Sequence, residues 1–153
     1  MGIRLEKGIG ERNAALLCSW SNQRGSAFQE QWMGDRISYP LCPEKLRALE
    51  GVFSIFEGDV FLGVIQRIRR EQDNVHIGRF LIDPDRTGRG FGKRALQALI
   101  ECVFEEEGIG SISLTVYDRN KTARSLYEAL GFSIVETPEM PQLRHLMKKY
   151  KEK

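Results

Sequence analysis

Cysteine is scarce, long apolar runs are missing and net charge is close to zero. The three cysteines, Cys18, Cys42 and Cys102, are odd in number and show no C-x-x-C spacing. That argues against a disulfide framework and against a structural zinc site, and no metal is expected. A nucleophilic cysteine needs a partnered base, and none can be placed. Cys102, inside a helical pattern, is expected to be a small buried residue. No apolar run approaches membrane-spanning length, and the opening residues carry no apolar leader core. The expected setting is a reducing cytoplasm with no membrane partner. A formal net charge of +2 is too small to hold nucleic acid by bulk electrostatics. Nor is there a repeat, a low-complexity tract or a linker. The 153 residues, 29% charged and 41% hydrophobic, suit a single globular domain spanning 1–153.

What the sequence does have is glycine in one place. Ile82 to Lys93 reads I-D-P-D-R-T-G-R-G-F-G-K, with Gly88, Gly90 and Gly92 at alternate positions. The apolar run Phe80-Leu81-Ile82 precedes it, and Phe91, Ala95, Leu96, Leu99, Ile100 and Val103 follow at helical spacing. A strand, a glycine turn and a helix start in succession gather backbone N–H groups at the positive end of a helix dipole, which suits a phosphate or pyrophosphate. The plainer reading is a tight turn whose glycines serve backbone shape alone. Arg86, Arg89, Lys93 and Arg94 lie in or just after the turn. Arg94 reads best as a solvated surface charge.

The remaining pattern places strands at 3–7, 52–57, 60–69, 75–82, 111–116, 132–136 and 143–150. Helices are expected over 13–21, from Pro43 to Leu49, from the glycine turn to about Glu107, and through Ala123, Leu126, Tyr127 and Leu130 to a cap at Gly131. Gly58-Asp59 closes a hairpin. Residues 22–40 read as irregular and aromatic, and Pro138 and Pro141 as chain breaks. Antiparallel strands first and a β-α-β crossover later imply an α/β (α+β) fold, with a mixed, mostly antiparallel sheet of six or seven strands and helices on both faces.

Two motifs carry a family resemblance. Leu81-Ile82-Asp83-Pro84 followed by Arg86-Thr87-Gly88-Arg89-Gly90-Phe91-Gly92 is similar to the pyrophosphate loop, Q/R-x-x-G-x-G/A, of the GNAT superfamily of acyl-CoA-dependent N-acetyltransferases. Asn120-x-x-Ala123-x-x-x-Tyr127-Glu128-x-Leu130-Gly131-Phe132 resembles that superfamily's second cofactor motif. The match covers about the last half of the chain. Thr87 stands where the superfamily has Gln or Arg, with Arg86 one residue earlier. The G-x-G-x-G spacing fits neither a dinucleotide fingerprint nor a P-loop.

The resemblance implies acetyl-CoA as cofactor. The backbone of Phe80, Leu81 and Ile82 would pair with its pantetheine arm, and Thr87, Gly88, Arg89, Gly90, Phe91, Gly92 and Lys93 would hold its pyrophosphate. Asn120 would contact the cofactor or cap its helix. Tyr127 would donate to the leaving sulfur or simply pack on an apolar face. The expected activity is acetyl transfer to a primary amine, on a small molecule or a peptide N-terminus, by direct attack in a ternary complex of a monomer or homodimer. The alternative is a non-catalytic acyl-CoA-binding domain. For the base, His76 is a catalytic candidate, with hydrogen-bonded strand histidine as the plainer reading. Glu57, Glu71 and Asp73 are weaker candidates, and a water chain is another route. Trp20, Phe28, Trp32 and Tyr39 either wall an acceptor pocket or cover the sheet end.

Overall fold

The computed structural model describes residues 2–137 and 143–152. Pro138 and Pro141, expected to break the chain, lie outside the described residues. The elements run β1 (Ile3–Lys7), α1 (Glu11–Asn22), α2 (Ser26–Met33), α3 (Pro43–Arg47), β2 (Val52–Glu57), β3 (Val60–Glu71) and β4 (Asn74–Ile82). A 3-10 turn at Pro84–Arg86 leads to α4 (Phe91–Glu105), β5 (Ser111–Tyr117), α5 (Lys121–Ala129), β6 (Ser133–Glu136) and β7 (Arg144–Tyr150). The seven strands form one mixed sheet in the order β1-β2-β3-β4-β5-β7-β6. β4 and β5 pair in parallel and their neighbours pair antiparallel. No helix among the described residues is long and apolar enough to cross a membrane.

Each sheet face has its own core. On one, α4 buries Ala95, Leu96, Leu99, Ile100 and Val103 against Ile55, Ile65, Ile77, Ile112 and Leu114, with α5 packed beside it. This stripe recurs at three- and four-residue steps, as a 3.6-residue helix requires. Truncating Leu99 to Ala would cost about 2–5 kcal/mol. On the other face, Leu17 and Cys18 of α1, Met33 of α2 and Leu46 of α3 close over Val64 and Leu81. Cys102 is a correction: it is exposed, because it falls on the side of α4 turned away from the buried stripe.

The middle of β4 changes phase. Val75 and Ile77 belong to the α4 core, yet Leu81 belongs to the opposite one, while Phe80 and Ile82 pack toward α4. Strict alternation would put residues 77 and 81 on the same face. A bulge explains the exchange: Gly78 pairs with Gln66 and Leu81 with Val64, leaving Arg79 and Phe80 unpaired, and Arg79 sits at φ 47. Glycine is obligatory nearby at Gly63, where a Cβ would lie 1.9 Å from the Leu81 carbonyl oxygen.

The stretch 22–40 is a second correction, since it contains α2. Gly25 and Gly34, both at φ 90, flank eight residues in which Phe28 and Trp32 share one face and Gln29 and Met33 the buried one. So short a helix is held by tertiary packing rather than by its own propensity.

Candidate active site

The bulge opens a cleft. β4 pairs with β5 only from Asn74 to His76, against Ser111 to Ser113. Beyond that point the strands part, and the edge of β4 facing β5 has no strand partner from Ile77 to Ile82. A cavity of about 440 Å³ occupies the gap. Phe80, Leu81 and Ile82 line one side, Asn120, Leu126 and Tyr127 the other, and Thr87, Gly88, Gly90, Phe91, Gly92 and Lys93 the end. Of the expected turn residues only Arg89 is outside this wall.

The turn is built as its glycines suggest. Gly88 and Gly90 have φ of 80 and 79, and a Cβ on either would point into open space. Gly90 is the N-cap of α4, whose 15 residues give it a full dipole. The N–H groups of residues 88–93 make no hydrogen bond among the described residues. Lys93 and Arg86 add positive charge at the wall, with Arg86 Nε donating to Asp83 at 3.3 Å. The Thr87 hydroxyl donates to the Pro84 carbonyl at 3.2 Å and so stabilises the turn. Arg94 faces away, on Glu57 at 2.6 Å. An unpaired strand edge, a cluster of open donors and a glycine cradle together fit an elongated carrier with a pyrophosphate.

Asn120 caps its helix, as the plainer reading expects, and lines the cavity as well. Its Oδ1 accepts from Ala123 N at 3.3 Å and caps α5, while its Nδ2 has no partner among the described residues and belongs to the cavity wall. Tyr127 is half-buried, edge-on to Phe132 with ring centroids 6.1 Å apart. Its hydroxyl makes no hydrogen bond among the described residues, and desolvation pushes its pKa up to about 12. It therefore stays a proton donor across the physiological range.

The aromatic quartet splits. Phe28 and Trp32 reach the cavity wall. Trp20 stacks on Phe61 at 5.6 Å instead, and Tyr39 is exposed with its hydroxyl donating to the Asn22 carbonyl at 3.1 Å. Neither lines the cleft.

A second cavity, of about 300 Å³, lies across a partition made by Gln31, Trp32, Ile77, Gly78, Arg79 and Thr115, which line both spaces. His76 faces it. Burial lowers the His76 pKa to about 4, with the Arg69 charge acting in the same direction and Glu71 opposing. A polar chain fixes the ring: Ser111 Oγ donates to Asn74 Oδ1, Asn74 Nδ2 donates to Ser113 Oγ, and Ser113 Oγ lies 2.8 Å from His76 Nδ1. The tautomer that satisfies every member has the Ser113 hydroxyl donating to Nδ1, so Nε2 carries the hydrogen. That neutral imidazole is arranged to donate from Nε2 rather than to act as a base. Glu57, Glu71 and Asp73 line neither cavity. His145 is structural, held by Asp118 at 2.7 Å and Thr137 at 2.9 Å.

Sequence reasoning passed over Arg79. Its Nε donates to the Met33 carbonyl and its Nη1 to Gln66 Oε1, both at 2.9 Å, tying the C-terminus of α2 to the bulge. The available signal was a charge, following glycine, inside the apolar strand Val75–Ile82.

The chain belongs to the Acetyltransferase (GNAT) family, which residues 8–132 match. A probable spermine N(1)-acetyltransferase of Bacillus subtilis subsp. natto (strain BEST195) is 32% identical over 141 residues, covering 86% of this chain and 88% of that protein. Among solved structures, the spermidine N-acetyltransferase of Vibrio cholerae, in complex with CoA and spermine, superposes with a TM-score of 0.78. It is 16% identical, over 97% of this chain and 95% of that one. AAC(6')-Ib in complex with ribostamycin and coenzyme A gives 0.76 at 19% identity, over 99% and 94%. At these identities the two structures establish the shared fold.

Proposed function

We propose that this chain is a cytoplasmic, single-domain N-acetyltransferase that moves the acetyl group of acetyl-CoA to a primary amine by direct attack in a ternary complex. The single observation that carries the reading is the parting of β4 from β5 beside an unpaired glycine turn, with the Tyr127 hydroxyl in the same cavity. Family membership supports it, and the relatives named for spermine and spermidine are consistent with amine acceptors.

Bound in the cleft, acetyl-CoA supplies a thioester whose acetyl group forms a C–N bond to the amine as its C–S bond breaks. The chain's residues divide the work around that exchange. The free edge of β4 from Ile77 to Ile82 pairs with the amide arm, as in strand addition. The open N–H groups of residues 88–93 and the dipole of α4 hold the pyrophosphate, with Lys93 nearby. Asn120 contributes Nδ2. Tyr127 holds its proton at Oη and gives it to the departing sulfur, which charge development makes the better acceptor. No Asp or Glu among the described residues lines the first cavity, and water takes the amine's proton in this scheme. Trp32 and Phe28 shield the reacting centre from bulk solvent.

The test is release of free CoA on mixing with acetyl-CoA and a panel of primary amines, alongside calorimetric titration with CoA. Turnover dependent on both substrates is expected. Tight CoA binding with no turnover across the panel would leave only the non-catalytic reading.

A further inference from the structure

The second cavity has no ligand in this scheme, and its walls are cationic. Arg36, Arg69, Arg79 and Arg144 line it, and Asp35 is the one carboxylate among its described lining residues. Arg69 is already answered by Glu71. Arg36, Arg79 and Arg144 are in no ion pair among the described residues. Arg144 instead lies 5.8 Å from the Tyr117 ring centroid. Arg79 is half-buried, and the acceptors it has, a main-chain carbonyl and an amide oxygen, are neutral. Burial lowers its pKa, and the Arg36 charge adds to the effect. Like-charged guanidinium groups on one wall, Arg79 half-buried and Arg36 exposed, repel one another, and Asp35 is a single carboxylate set against them. A carboxylate relieves the repulsion and takes the paired, in-plane hydrogen bonds a guanidinium offers. His76 Nε2–H adds a neutral donor on the same wall. A polyamine, by contrast, would carry several positive charges into an already cationic space.

Building on the acyl-transfer reading above, we propose that this cavity holds the acceptor by an anionic group, so that the substrate is a primary amine carrying a carboxylate and not a polyamine. Two sources share that chemistry, a free amino acid and the N-terminal residue of an acidic peptide. The carboxylate sits among Arg36, Arg79 and Arg144, and the amine reaches over the Trp32–Gly78–Arg79 partition into the first cavity.

The experiment uses matched acceptors with acetyl-CoA: phenylalanine against phenethylamine, an Asp-Ala dipeptide against Asn-Ala amide, and spermidine. CoA release gives kcat/KM for each. The carboxylate-bearing member of each pair should be favoured by roughly tenfold or more, the range of one charged hydrogen bond. Preference within the first pair assigns free amino acids; preference confined to the second assigns acidic peptides. Arg36→Glu, at an exposed position that tolerates the change, should abolish the preference and raise spermidine turnover. Equal rates within both pairs, or spermidine as the best acceptor of the unmodified enzyme, would overturn the proposal. A binding measurement separates this proposal from the acetyltransferase reading. The protein has two tryptophans, so Trp20→Phe leaves Trp32, in the partition, as the sole indole. Quenching of Trp32 by N-acetylphenylalanine or N-acetyl-Asp-Ala, lost in Arg36→Glu, upholds the anion site even if no acceptor turns over. Absence of quenching by both, together with absence of preference, rejects it.

Discussion

The two cavities meet at one partition and are made from different materials. The larger is framed by main chain: an unpaired strand edge, a glycine turn and a helix start, filled in by apolar side chains. The smaller is framed by charged side chains drawn from β3, β4, β7 and the segment that follows α2. Main-chain donors are fixed by the fold and are indifferent to most substitutions, so the first space suits a substrate that many proteins share. Guanidinium groups are exchangeable one at a time, so the second can be retuned without disturbing the first. On the proposed reading, the common chemistry rests on backbone and the choice of acceptor on side chains.

That contrast can be broken or sharpened by substitution. The largest effect belongs to Tyr127→Phe. Its hydroxyl has no partner among the described residues, so thermal stability should hold, while kcat falls by about 10²–10³. Steady-state kinetics and a melting curve check both halves, and a fall of less than threefold would reduce Tyr127 to packing. Next is His76. Its pKa is about 4 in the folded chain against 6.5 ordinarily. Between those values the unfolded chain binds the extra proton, so the contribution is full above pH 6.5 and is lost as pH falls toward 4. The loss should be about 3 kcal/mol. Urea unfolding across this range should show it, and subtraction of the His76→Gln curve should isolate it. A flat difference would deny the buried neutral imidazole. Gly90→Ala comes third. A side chain at φ 79 is strained by about 1–2 kcal/mol and its Cβ enters the turn's open space. The KM for acetyl-CoA should rise about tenfold and that of the acceptor should not move, as initial-rate measurements varying each substrate will tell. The smallest effect is Arg94→Ala, which removes a partly exposed ion pair with Glu57. It should cost less than about 1 kcal/mol in denaturant unfolding and leave both Michaelis constants unchanged.

The same division governs what could be read from sequence. Strand alternation, the helical stripe of α4 and the glycine turn are local patterns, and they placed the sheet, its two layers and the turn. Asn120 and Tyr127 could be singled out because the stretch Asn120–Phe132 resembles a motif of the family, and the cap at Asn120 is there. The arginine wall could not be, because Arg36, Arg79 and Arg144 come together only when α2 lies on the bulge and β7 pairs with β5. The bulge itself defeats alternation: it moves Leu81 to the opposite core, which no period-2 reading of Val75–Ile82 anticipates. α2 was hidden because eight residues between two glycines resemble a loop. Trp20 and Tyr39 were grouped with Phe28 and Trp32 by composition, and the fold spends the first on a stack with Phe61 and the second on a contact with α1.

The shared partition also has a kinetic consequence. On the proposed reading, donor and acceptor are separated by one layer, Gln31, Trp32, Ile77, Gly78, Arg79 and Thr115, which line both spaces. A substitution elsewhere in either space should alter the Michaelis constant of one substrate. A substitution in this layer should alter both, and should make each substrate's apparent affinity depend on whether the other is already bound.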